Sequence, residues 1–176
     1  MMFNPHPEDH DILDILESRA RRLAVDPSPS KSQGPCLTVV EFRIAHEIYA
    51  LPILRIRAIH PLRQLTWIPG VPDFIRGVIN LRGEIISVVD LKMFFELPDG
   101  DFTRLSHVII LSSPEMEFGI LADEILGVSE IAEHEIQPAL PTLTGIREDY
   151  LKGVTGDGRV VLDDEKLRAD PKMRIH

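Results

Sequence analysis

Residues Gly77 to Leu91 read GVINLRGEIISVVDL, and this stretch decides the fold. Two short runs rich in isoleucine and valine flank Arg82-Gly83, the composition of a tight β-hairpin. Gly77 lets a neighbouring backbone come close, and Gly83 supplies a positive φ at the turn. Asp90 is placed to cap a short helix over Leu91 to Phe95. Val78-Ile79 and Ile85-Ile86 are apolar on both faces of their strands, so cover is expected on both sides. Arg82 is the odd residue. No turn requires arginine, and a guanidinium on a rigid two-strand base is positioned to pair with a carboxylate on another molecule. Its plain alternative is a solvated turn arginine.

Outward from the hairpin, the pattern from Cys36 onward is one of short strands. They are expected over 37–44, 47–51, 56–60, 75–82, 84–90, 107–112, 117–122, 125–131, 151–155 and 159–162. Strands this short and dense suggest small barrels, and two barrels packed together would cover both faces. The pattern also repeats. Setting Tyr49 over Phe118, an offset of 69, brings Val39 onto Val108, Phe42 onto Leu111, Leu51 onto Ile120, Ile56 onto Ile125 and Ile59 onto Val128. Further on, Phe74-Ile75-Arg76-Gly77-Val78 matches Tyr150-Leu151-Lys152-Gly153-Val154, each followed by a turn, Arg82-Gly83 and Asp157-Gly158. An ordered aromatic-apolar-basic-Gly-Val string in both halves points to duplication.

Residues 11–24 (DILDILESRARRLA) place Ile12, Ile15, Leu16 and Leu23 at helical spacing, with Arg19, Arg21 and Arg22 on the polar side. Asp26 to Pro35 reads as a linker, so residues 1–35 form a helical arm and tether ahead of a main domain at 36–170. The arm serves either as a lid on the same chain or as a partner-binding segment. The 176 residues carry 19 basic and 28 acidic side chains, a net charge of −9. Residues 1–35 contribute −2, 36–95 +2 and 96–176 −9. Such a balance repels phosphate backbones and argues against a nucleic-acid partner, while its polarity favours head-to-tail contact with related modules. The lone cysteine, Cys36, at the start of the first strand, reads as a packed thiol in a reducing, cytoplasmic setting. No run approaches the roughly 20 apolar residues that span a bilayer, so a membrane connection would run through a partner.

An enzyme needs converging groups, and the sequence offers none. His6 and His10 have i, i+4 spacing but flank Pro7-Glu8-Asp9, and Glu133-His134-Glu135 reads as an exposed turn, so no metal is expected. Gly153 to Arg159 lacks the Lys-Ser/Thr pair of a phosphate loop. Asp123 and Glu124 are neighbours on a strand, so their carboxylates diverge. The expected protein is non-enzymatic and needs no cofactor. A nucleic-acid-binding small barrel is the rival class, but it requires a basic, aromatic-lined groove. Here the only tryptophan is Trp67.

The string Phe74 to Leu91 (FIRGVINLRGEIISVVDL) closely resembles the CheW family of bacterial chemotaxis coupling proteins. Ile48-Tyr49-Ala50-Leu51, Gly119-Ile120 with Asp123, Tyr150-Leu151-Lys152-Gly153 and Asp157-Gly158-Arg159 extend the likeness over about Cys36 to Leu167. The resemblance implies an all-β fold of two five-stranded SH3-like barrels sharing a core. It also implies a scaffold bridging the regulatory domain of a CheA-type histidine kinase to the cytoplasmic tip of a methyl-accepting chemoreceptor. Carried over by position, the receptor-facing groove includes Ile56, Gly77 and Arg82, with Leu54 and Ile59 as neighbours. Ile125 and Val128 are the candidates for the kinase contact. Other CheW-like modules are further partners. This chain departs from the family in two places. Ala58 stands where an acidic residue is frequent, and the last strand meets Asp163-Asp164-Glu165 early. With the added arm, these departures suggest an output other than swimming, through a pilus or a regulatory system.

Overall fold

The computed structural model describes residues 34–98, 105–139 and 146–173. The expected arm at 11–24 and its linker therefore lie outside the described residues, apart from Gly34 and Pro35. All ten expected strands are present: β1 (Cys36–Ile44), β2 (Glu47–Pro52), β3 (Ile56–Pro61), β4 (Ile75–Leu81), β5 (Glu84–Val89), β6 (His107–Ser112), β7 (Glu117–Ala122), β8 (Glu124–Ala132), β9 (Leu151–Val154) and β10 (Val160–Leu162). Two short helices follow β5 and β10, α1 (Leu91–Phe94) and α2 (Asp164–Ala169). Asp90 caps α1, accepting from the Lys92 N–H at 3.0 Å. The early acidic run also has a role. Asp163 caps α2, and Asp164 and Glu165 sit in its first turn, where the helix dipole favours negative charge.

The strands form two five-stranded sheets, ordered β8-β1-β2-β10-β9 (barrel A) and β3-β6-β7-β5-β4 (barrel B). Each sheet is closed by a short antiparallel bridge. Thr66 and Val78 exchange N–H···O bonds of 2.9 and 2.8 Å in barrel B, and Gln137 and Val154 do so at the same distances in barrel A. Mapping β1–β5 onto β6–β10 turns one strand order into the other, so the duplication read from the sequence is the architecture. The register agrees residue by residue. Phe42 pairs with Tyr49 and Leu111 with Phe118. The bulge that opposes Phe42 to Ile125 recurs where Leu111 meets Ile56. The repeats exchange strands, however, because β3 pairs with β6 and β8 with β1. Neither barrel is one half of the chain.

Apolar side chains fill three layers. Ile79, Ile86, Val88, Val108, Ile110 and Leu121 occupy barrel B, and Val39, Ala50, Ile131 and Val161 occupy barrel A. Between them lies a larger shared core containing Phe42, Tyr49, Leu111, Phe118 and Ile120. Helix α1 wedges aromatics into it: Phe94 meets Phe74 and Tyr150 edge-on at 5.0 and 5.1 Å, and Phe95 stacks on Tyr49 at 6.4 Å. Two sequence expectations fail. Ile85 is 65% exposed, because it lies near the hairpin tip at one end of barrel B, where no third layer reaches. Cys36 is exposed as well, since β1 begins at the sheet margin.

Candidate partner-binding surface

The hairpin β4–β5 ends in Arg82 (φ +52°) and Gly83 (φ +91°), so both central residues are left-handed, the type I′ geometry that matches strand twist. The Gly83 N–H donates to the Asn80 side-chain oxygen at 2.9 Å and closes the turn. Glycine suits its position. Arginine in the left-handed region costs about 1–2 kcal/mol, and asparagine or glycine would avoid part of it. The exposed Arg82 is thus held in a conformation its own propensity opposes.

Beside this tip, Arg57 stands at the bulge of β3 and its Nη1 reaches Glu84 on β5 at 2.7 Å and Glu117 on β7 at 2.6 Å. The exposed ion pairs tie the strand of Ile56 to the arginine hairpin. Leu54, 89% exposed, occupies the turn Ile53–Arg55 that enters β3. Ile56 and Ile59 are half-buried and pack against the shared core, so each offers an edge and not a whole side chain. Ala58 packs towards the interior of barrel B. An acidic residue there would be drawn inward at a desolvation cost. Gly77 is buried and sits under the closing bridge. A Cβ on it would lie 2.1 Å from the Thr66 carbonyl oxygen and 3.2 Å from the Trp67 Cα. The structure therefore gathers Leu54, Ile56 and Arg82 towards one end of barrel B, while Gly77 shapes that barrel from within.

Ile125 and Val128 occupy the matching strand of barrel A, opposite Phe42 and Val40, and both are half-buried. The turn equivalent to Arg82-Gly83 is Asp157-Gly158, and its chemistry is reversed. Thr155 and Arg159 donate to Asp157 and hold its carboxyl below the usual range, with the Thr155 hydroxyl the larger cause. Arg159 is turned inward to Glu41 at 2.7 Å. Residues 36–52 and 123–173, which build barrel A, carry 7 basic and 14 acidic side chains, a net of −7; residues 53–122 carry 7 and 8, a net of −1. The acidic half identified in the sequence is thus concentrated in one barrel despite the strand exchange.

Among the described residues three exposed large apolar side chains escaped the sequence reading, Ile85, Met93 and Trp67, the last 71% exposed. Only solvent exposure separates Ile85 from its buried neighbour Ile86, and nothing in their shared chemistry reveals it. Trp67 follows the residue that closes barrel B, a contact between positions distant in sequence. Among the described residues no group of His, Cys, Asp or Glu is arranged to hold a metal, and no helix is long and apolar enough to cross a membrane.

Known proteins share this geometry. The chemotaxis protein CheW of Klebsiella aerogenes is 31% identical over 137 residues, covering 76% of this chain and 82% of its own length. That of Treponema pallidum is 28% identical over 143 residues, covering 77% and 84%. The crystal structure of the scaffolding protein TtCheW from Thermoanaerobacter tengcongensis superposes with a TM-score of 0.64 at 31% identity, over 73% of this chain and 89% of that one. With the CheW-like domain matching residues 38–169, and the duplicated barrels as their physical counterpart, this chain belongs to the CheW-like domain family.

Proposed function

We propose that this chain is a non-enzymatic scaffold in a chemotaxis-like signalling array. It couples the regulatory domain of a CheA-type histidine kinase to the cytoplasmic tip of a methyl-accepting chemoreceptor. It acts in the cytoplasm and reaches the membrane through its partners. The observation that carries this reading is the Arg82 tip: a family-typical arginine held on a closed barrel in a left-handed conformation, with Leu54 and Ile85 exposed nearby. A rigid cation beside apolar anchors suits an acidic, apolar helical surface such as a receptor tip presents. Half-buried Ile125 and Val128, on the more acidic barrel, form the kinase-facing edge. The domain at 36–170 would carry both contacts, with residues 1–35 as an accessory arm.

The test is binding of the full chain to a purified receptor-tip fragment and to a CheA-type regulatory domain, measured separately. Arg82→Glu should leave the melting temperature unchanged and weaken at least one complex by about 1–3 kcal/mol. Wild-type dissociation constants for both partners would remove Arg82 from the site.

A further inference from the structure

Thr66, Val78 and Ser87 stand opposite one another across the closing bridge and the β4–β5 ladder, so their side chains share one face. Asn80 and Ile85 form the next row of that face towards the turn. It is the outer wall of barrel B, because the alternate residues Ile79 and Ile86 fill the interior. None of these five wall residues carries a charge. The wall ends in two exposed cations, Arg76 at the β4 bulge and Arg82 at the turn. Glu84, the acidic residue of the hairpin, lies opposite Leu81 in the alternate row and is held by Arg57. On a chain of net charge −9, this wall is cationic at both ends.

The Arg76 end is also apolar. Among the described residues the polar partner of Arg76 is the Met93 sulfur, 3.4 Å from Nη1, a weak acceptor that leaves the guanidinium donors for a carboxylate. Asp73 and Glu96 share a cleft with Arg76 but do not pair with it. Exposed Trp67 crosses alongside, its Cα 3.2 Å from where a Cβ on Gly77 would lie. The fold does not demand this group. At the equivalent positions barrel A has Pro138 after its closing residue, Lys166 in its capped helix and Asp157 at its turn, in place of Trp67, Met93 and Arg82. Only Lys152 keeps the charge of Arg76.

We propose that an acidic, amphipathic helix docks lengthwise along this wall, its apolar side on Val78, Ile85 and Trp67 and its carboxylates on Arg76 and Arg82. This placement rests on the reading of Arg82 as a receptor contact, and the helix is then one of the receptor tip. Arg76 and Arg82 are separated by about 20 Å of extended chain, which matches carboxylates about 11–14 residues apart, three to four turns, on one side of a helix. Trp67 is the only tryptophan of the chain, so its fluorescence reports whether the helix reaches the Arg76 end. The full chain is titrated with a purified, tryptophan-free receptor-tip fragment, with affinity measured in parallel by calorimetry. Binding should shift Trp67 emission to the blue and shield it from acrylamide. Arg76→Glu should keep the wild-type melting temperature and weaken binding about fivefold or more. Reversal to lysine of one acidic residue on the fragment should restore Arg76→Glu, and the reversal that restores Arg82→Glu should lie about 11–14 residues away. If Arg82→Glu weakens binding while Trp67 stays open to quencher and Arg76→Glu binds as wild type, the lengthwise placement is overturned and the receptor contact stands. If Arg82→Glu also binds as wild type, the receptor reading falls with it.

Discussion

Gly77 gives the sharpest test of how the barrels are closed. An alanine methyl there would sit 2.1 Å from the Thr66 carbonyl oxygen and 2.8 Å from its carbon, so the crossing strand must move. That strand is held by the two Thr66–Val78 hydrogen bonds, each contributing about 1 kcal/mol. The φ of +143° adds about 1–3 kcal/mol of backbone strain for any residue with a Cβ. Gly77→Ala should therefore destabilise the fold by about 3–5 kcal/mol, a large share of the roughly 5–15 kcal/mol that holds a domain together. In a thermal melt the loss corresponds to about 10–15 °C.

Two further glycines separate strain from collision. Gly153 repeats the geometry in barrel A, with a Cβ 2.1 Å from the Gln137 carbonyl oxygen, and Gly153→Ala should cost about as much as Gly77→Ala. Gly127 has a φ of +141° but no atom within 4 Å of its Cβ position, so Gly127→Ala should show the strain alone, about 1–3 kcal/mol. Urea unfolding of the three variants is the assay. If Gly77→Ala proved no more destabilising than Gly127→Ala, the closing bridge would not be the constraint, and Gly77 would have to act by direct partner contact.

The other expectations concern surface, bridge and pH. Ile85→Asp should leave the unfolding midpoint within about 0.5 kcal/mol of wild type, yet weaken receptor-tip binding measurably by titration calorimetry. Asp164 is buried, accepts from Arg168 at 3.0 Å and faces Arg55 at 4.0 Å, joining α2 to the turn of Leu54. Asp164→Ala should cost about 2–3 kcal/mol in urea unfolding and loosen that turn, seen as faster amide exchange at residues 53–55. Tyr150 donates to Asp170, and burial first, then that bond, raises its pKa from 10.0 to about 12. A folded pKa above the unfolded one means the contribution is complete below pH 10 and lost as pH rises towards 12. The melting temperature should fall across that window, and Tyr150→Phe should flatten the fall.

Much of the fold was legible because its signals are local. Short apolar runs bounded by turn residues marked the strands, and the offset of 69 matched Phe42–Tyr49 to Leu111–Phe118 because both pairs face the shared core. Strand exchange was not legible. A repeat in sequence says which strands are equivalent but not whether β3 returns to its own sheet or crosses to the other, a choice made by packing at long range. The site divides in the same way. Arg82 stood out as chemically unnecessary at its turn, but its left-handed φ and the Arg57 tie to Glu84 depend on register and barrel closure. Gly77 was recognised as a point of close approach, and the structure names what approaches it. Ile56 and Ile59 came from the family resemblance, and Ile125 and Val128 from the kinase contact it implies; the offset of 69 pairs Ile56 with Ile125 and Ile59 with Val128, and all four are half-buried.

Duplication with exchange bears on what a scaffold must do. Because β3 belongs to barrel B but follows directly from β2 of barrel A, and β8 makes the reverse crossing, the chain passes twice between the barrels and ties each to the other. Displacement at one end is opposed by the whole shared core, the stiffness a relay between two partners requires. The ends themselves differ. Barrel B projects Arg82 from its turn, whereas barrel A offers Asp157 in the equivalent place and folds Arg159 back onto Glu41. On the proposed reading, a partner seated on barrel B must bring negative charge and one seated on barrel A positive charge. Exchanging the two would set like charges against each other at both contacts. On that same reading, the duplicated framework would assign each partner to its own end.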